Sequence, residues 1–95
     1  MKDYLKRLSK EIKGLINLAG TVALNNKVSV YLVGGFVRDL ILGVKNLDLD
    51  IVVEGDGIKF AEDFALKLKA GIIRHKRFGT ATVMISPALK VDIAT

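Results

Sequence analysis

The chain has no cysteine and no tryptophan, and only one proline and one histidine. Without thiols it forms no disulfide and no thiolate metal centre, which fits a reducing compartment. A lone histidine, His75, has no second histidine or cysteine to share a metal with, so it reads as a surface residue. No apolar run approaches the roughly 20 residues a helix needs to cross a bilayer, and the charged start Met1-Lys2-Asp3 is not a signal peptide. Internal repeats, linkers and low-complexity tracts are also missing.

What remains is an ordinary folding composition of 51% hydrophobic and 26% charged residues, enough in 95 residues for one small domain. The excess of 15 basic over 10 acidic residues, a net charge of +5, suits anionic partners such as nucleotides or RNA; it equally describes a lysine-rich solvated surface. The closing "KVDIAT" reads as a strand cut at its far end, so the chain is expected to be the first part of a longer protein.

Apolar side chains at Leu5, Leu8, Ile12, Leu15, Ile16, Ala19 and Val22 recur at three-and-four spacing and predict an amphipathic helix over 3–24, ended by "NNK". "VSVYLV" (28–33) is β-branched and aromatic, a strand. Gly34-Gly35 breaks it, and "FVRDLILG" suits a short helix closed by Gly43. "LDLDIVVE" (47–54) is a second strand, and "GDG" (55–57) a turn from which Asp56 caps a helix over 58–69. That helix carries Ile58, Ala61, Phe64, Ala65 and Leu68 on one face. Short extended segments at 71–77, 80–85 and 89–94 follow, broken at Gly79 and Ser86-Pro87, with a tight hairpin joining the last two. The order α-β-α-β-α-β-β-β predicts a mixed α/β (α+β) domain, a small mixed sheet flanked by helices.

Four features carry chemistry. A glycine pair where a strand turns into a helix lets backbone N–H groups approach an anion, as Gly34 and Gly35 would; an ordinary tight turn has the same look. Arg38 projects from the first turn after them, placed to fork onto phosphate oxygens or to pair with neighbouring Asp39. Asp48 and Asp50 share one face of their strand while Leu47, Leu49 and Ile51 take the other. Two like charges so close call for a cation, and magnesium binds through one or two carboxylates plus substrate phosphates. A DxD alone is better explained by two solvent-facing aspartates, but a Gly-Gly fourteen residues earlier reverses that preference in favour of the metal reading. Asp92 interrupts the apolar pattern of the last strand, either as a third carboxylate or as an edge charge against aggregation. The basic run Arg74–Arg77 is a solvated strand edge more readily than an RNA contact.

Read together, "YLVGGFVRDLILGVKNLDLDIVVEGD" (31–56) resembles the nucleotidyltransferase head of the class II tRNA CCA-adding enzymes and bacterial poly(A) polymerases, in which GGxVRD, LG and DxD follow in this order and spacing. "RFGTATV" (77–83) and "VDIAT" (91–95) resemble its later strands, so that about residues 28–95 are covered. The resemblance implies a polymerase-β-like nucleotidyltransferase fold working with Mg2+. Asp48 and Asp50 match its two metal-binding aspartates. Gly35 and Arg38 match residues that contact the incoming nucleotide, and Gly34 the first glycine of the pair. Asp92 matches an acidic position that would complete the catalytic carboxylates. The implied reaction is attack by an RNA 3′-hydroxyl, that of a tRNA, on the α-phosphate of CTP or ATP with release of pyrophosphate, in the cytoplasm and away from membranes.

The family's strand ending "DIAT" runs on into an arginine and then into a neck domain that reads the base and further helical domains that hold tRNA; this sequence has none of these. Residues 1–95 are therefore expected to be a truncated head domain, with an N-terminal helix at 3–24 and a catalytic core at 28–95, weakly active or inactive in isolation. A poly(A) polymerase head, and a non-catalytic nucleotide-binding or regulatory module of the same fold, are the alternatives.

Overall fold

Two helices and five strands make up the described part of this computed structural model, which covers residues 2–33, 47–87 and 89–95. The short helix expected after Gly35 lies outside the described residues. Helix α1 (Lys2–Asn26) buries Ile12, Leu15, Ala19, Val22 and Ala23, the three-and-four stripe that drives an amphipathic helix onto a core. It ends where expected to within two residues, because Lys27 takes a left-handed φ of 56° and Val28 N–H turns back to Ala23 O at 3.0 Å.

The strands are β1 (Ser29–Val33), β2 (Leu47–Glu54), β3 (Gly71–His75), β4 (Thr80–Ser86) and β5 (Leu89–Ala94). They form one sheet in the order β1-β2-β5-β4-β3, in which only the central pair, β2 and β5, runs parallel. A parallel pair needs a crossover, and helix α2 (Gly57–Leu68) with β3 and β4 supplies it. As expected from sequence, the architecture is mixed α/β. β5 is the middle strand of five, so Asp92 is not an edge-strand charge.

Residue alternation gives the sheet two unlike faces. Leu49, Ile51, Val53, Ala81, Val83, Leu89, Val91 and Ile93 are buried against the helices in one apolar core. Asp56 caps α2, accepting from Lys59 N–H at 3.1 Å. The buried stripe of α2 is Phe60, Ala61, Phe64 and Ala65, rotated from the expected face: Phe60 is fully buried, stacked on Phe64 with ring centroids 5.9 Å apart, while Ile58 and Leu68 are half-buried. The reason is that α2 meets α1 as well as the sheet, as the Asn26 Nδ2 to Asp63 Oδ2 hydrogen bond of 3.0 Å marks.

β3 is shorter than the expected segment 71–77. Lys76–Phe78 form a 3-10 turn closed by Gly79 at φ 68°, a left-handed conformation that glycine adopts without Cβ strain. The β4–β5 hairpin was expected, and it carries a register shift between Met84 and Ser86.

Candidate active site

The face of the sheet turned away from α1 and α2 carries the polar half of each alternation. On β2, burial of Leu49 at 1% exposure turns Asp48 and Asp50 to this open side, one residue apart. The parallel register sets Asp50 directly beside Asp92 and Asp48 beside Lys90. The antiparallel register of β4 then sets Thr82 on the far side of Asp92, and that of β1 sets Val33 on the far side of Asp50. Val33, Asp50, Asp92 and Thr82 thus form one row across four strands about 4.8 Å apart.

A shallow depression of about 440 Å3 opens over this row. Asp50, Asp92, Thr80, Thr82 and His75 give it polar walls, and Val33, Val52 and Ala94 apolar ones. Asp48 stands at its margin, with Oδ1 3.7 Å from Lys90 Nζ, both side chains about half exposed, an ion pair too solvated to hold the residue firmly.

Asp50 is the electrostatic focus. Among the described residues it has neither a hydrogen-bond donor nor a cationic partner. Burial raises its proton affinity above the usual carboxylate range, and the neighbouring charges of Asp92 and then Asp48 raise it further. Asp92 is supported differently: Thr82 Oγ1 donates to its Oδ1 at 2.8 Å.

The end of β5 is pinned beside this row. Thr95 Oγ1 accepts from Gly57 N–H at 3.2 Å and donates to Gly79 O at 2.9 Å, tying the strand to the start of α2 and to the β3–β4 turn. Gly57 permits this approach, since a Cβ there would lie 2.7 Å from Thr95 Oγ1.

Of the residues singled out in the sequence, the fold gathers Asp48, Asp50 and Asp92 on one face, while Gly34, Gly35 and Arg38 lie outside the described residues. Thr82 and Lys90 were not singled out. Their outward alternation was readable, but their nearness to the aspartates depends on register between distant strands.

The donors here are hard oxygens, the kind a magnesium ion prefers. Among the described residues no group of three or more His, Asp or Glu closes around a single point. Neighbouring carboxylates such as Asp50 and Asp92 are donors of the kind a cation uses when it takes the rest of its shell from water and substrate oxygen.

The Poly A polymerase head domain family matches residues 30–95. An A-adding tRNA nucleotidyltransferase of Geobacter sulfurreducens is 42% identical over 90 residues, covering 95% of this chain and 10% of that protein. The solved structure of a CCA-adding enzyme with ATP superposes with a TM-score of 0.79 at 45% identity, over 90% of this chain and 21% of the other. The Thermotoga maritima CCA-adding enzyme complexed with a tRNA has a TM-score of 0.76 at 46% identity, with 90% and 21% covered. The chain thus spans about a tenth to a fifth of the length of these relatives.

Proposed function

The chain belongs to the Poly A polymerase head domain family, and we propose that it is the catalytic head of a longer, template-independent RNA nucleotidyltransferase that adds CMP or AMP from CTP or ATP to a tRNA 3′ end. The fold is that of the CCA-adding heads it superposes on, with a TM-score of 0.79. The observation that carries the reading is the cluster on the open face: Asp50 flanked by Asp92, with Asp48 one step along β2.

In this reading Asp48 and Asp50 hold Mg2+ and Asp92 completes the set. Bound magnesium neutralises triphosphate charge and favours ionisation of the attacking hydroxyl. The rest of the chemistry is positioning by the chain. Leu49, buried behind the two aspartates, anchors the β2 backbone, so both carboxylates leave the strand on the same face. Gly34, Gly35 and Arg38 are proposed to hold the triphosphate. The 3′-oxygen then bonds to the α-phosphorus as the bond to pyrophosphate breaks. The tRNA substrate puts the reaction in the cytoplasm. Among the described residues no helix is long and apolar enough to cross a membrane.

The test is incorporation on tRNA lacking CCA by the full-length protein, with CTP, ATP or both, in magnesium and in chelator. Ordered addition is expected, and Asp48→Ala with Asp50→Ala is expected to abolish it. A long A tail would make the enzyme a poly(A) polymerase using the same site. Undiminished incorporation by the double variant would remove the assignment.

A further inference from the structure

We infer that Thr82 is a positioning residue: its hydroxyl fixes the rotamer of Asp92, committing one carboxylate oxygen to the protein so that the other serves the cation. The inference rests on the proposed reading of the open face and assigns a role there to a residue that carries no charge and sits on a different strand.

Backbone register alone leaves Asp92 incompletely specified. β5 delivers its Cα beside that of Asp50, but the carboxylate still rotates about two bonds, and the charge of Asp50 favours rotamers that swing it into solvent. Thr82 removes that freedom. It faces Asp92 from β4, on the side opposite Asp50, and donates from Oγ1 to Oδ1 at 2.8 Å. Asp92 Oδ2 is left without a protein partner among the described residues.

The donor is itself rigid. Its neighbours Ala81 and Val83 are buried at 1% and 0% exposure, which anchors the backbone on both sides. Threonine is β-branched and so restricted in its first side-chain torsion. A hydroxyl donating to a carboxylate makes a short, charge-assisted bond, strong enough to select one rotamer. The β4–β5 register sets Thr82, and not Thr80 two residues earlier, opposite Asp92.

The test uses full-length protein and two readouts. One is Mn2+ binding followed by electron paramagnetic resonance with a non-hydrolysable CTP analogue. The other is the Mg2+ concentration that half-saturates incorporation. Thr82→Val keeps the shape and strand preference but removes the donor. It is expected to weaken Mn2+ binding about tenfold, the usual scale for losing a group that orients a metal ligand. The magnesium requirement should rise in parallel, while the rate at saturating magnesium is largely recovered. Thr82→Ser, which keeps the hydroxyl, should restore both. In an Asp92→Asn background, Thr82→Val should add little, and this comparison holds even if the single variant lowers the melting temperature. Wild-type cation affinity in Thr82→Val, equal defects in Thr82→Ser and Thr82→Val, or full additivity with Asp92→Asn would each overturn the inference. Asp50→Ala in the same assays separates the levels. If it retains cation binding and incorporation, the site reading itself fails; if it loses them while Thr82→Val does not, only the role of Thr82 fails.

Discussion

Asp50 illustrates how a site is maintained at a cost to the fold. Desolvation, Asp92 and Asp48 raise its proton affinity in the folded protein above that of the unfolded chain. For a carboxylate the sign is then fixed: ionised Asp50 destabilises the fold at neutral pH, and the penalty fades as pH falls through the raised folded value toward about 4. Asp50→Asn is therefore expected to melt at a higher temperature than wild type at pH 7 in chelator. That advantage should shrink on acidification and on adding magnesium with nucleotide, which only the wild type is expected to bind. Thermal melts across pH check this; a variant less stable than wild type at pH 7 would contradict the charge argument. Cation binding should likewise weaken as pH falls, since protons compete for the same carboxylate. Asp48 and Asp50 were legible as a pair because strand alternation is local. For Asp92 the edge-charge alternative stood until the strand order put β5 at the sheet centre.

At the scale of elements, helix α2 and the end of β5 position the row of carboxylates together. The Asp56 cap and the Phe64-Ala65 stripe of α2 were readable from turn chemistry and helical period. Phe60 was not, because its burial follows from a second neighbour, α1, and periodicity in one segment cannot report how many surfaces will cover it. Nor does the sequence explain Gly57, whose φ is unremarkable. Only the approach of Thr95 makes a side chain there unwelcome. Gly57→Ala is expected to cost about 1–3 kcal/mol, typical of overpacking a close contact. Chemical denaturation measures it, and a change well under that range would mean the Thr95 hydroxyl is not a fixed latch. The Lys76–Phe78 turn shortened β3 for a similar reason: the chain must reverse into β4, and Gly79 supplies the left-handed residue that the reversal uses.

At the scale of the whole molecule, the chain is short beside the proteins it resembles. Those relatives are about four to ten times longer, since 95% of the chain covers 10% of one and 90% covers 21% of another. RNA is held by summed phosphate contacts, and catalysis requires the 3′-oxygen within a fraction of an ångström of its attacking position. Residues 1–95 alone are therefore expected to bind magnesium-nucleotide weakly and to transfer on the order of 100-fold more slowly than the longer protein, by analogy with the cost of misplaced reactants. Parallel incorporation assays on the two lengths check this, and comparable turnover would show that the head suffices.

Among the described residues, the amino-acid sequence by itself determined the two helices and five strands to within a few residues, the faces of α1 and β2 and the pairing of Asp48 with Asp50, because each depends on periods and turn residues within a few positions. It also carried the family signature, 31–56, that the matched family then supported over residues 30–95. Tertiary structure decided which strands became neighbours. That alone placed Asp92 beside Asp50, Thr82 behind Asp92, and Thr95 against Gly57. These contacts join residues 10 to 42 positions apart, and their register is set by a shared core rather than by any local pattern.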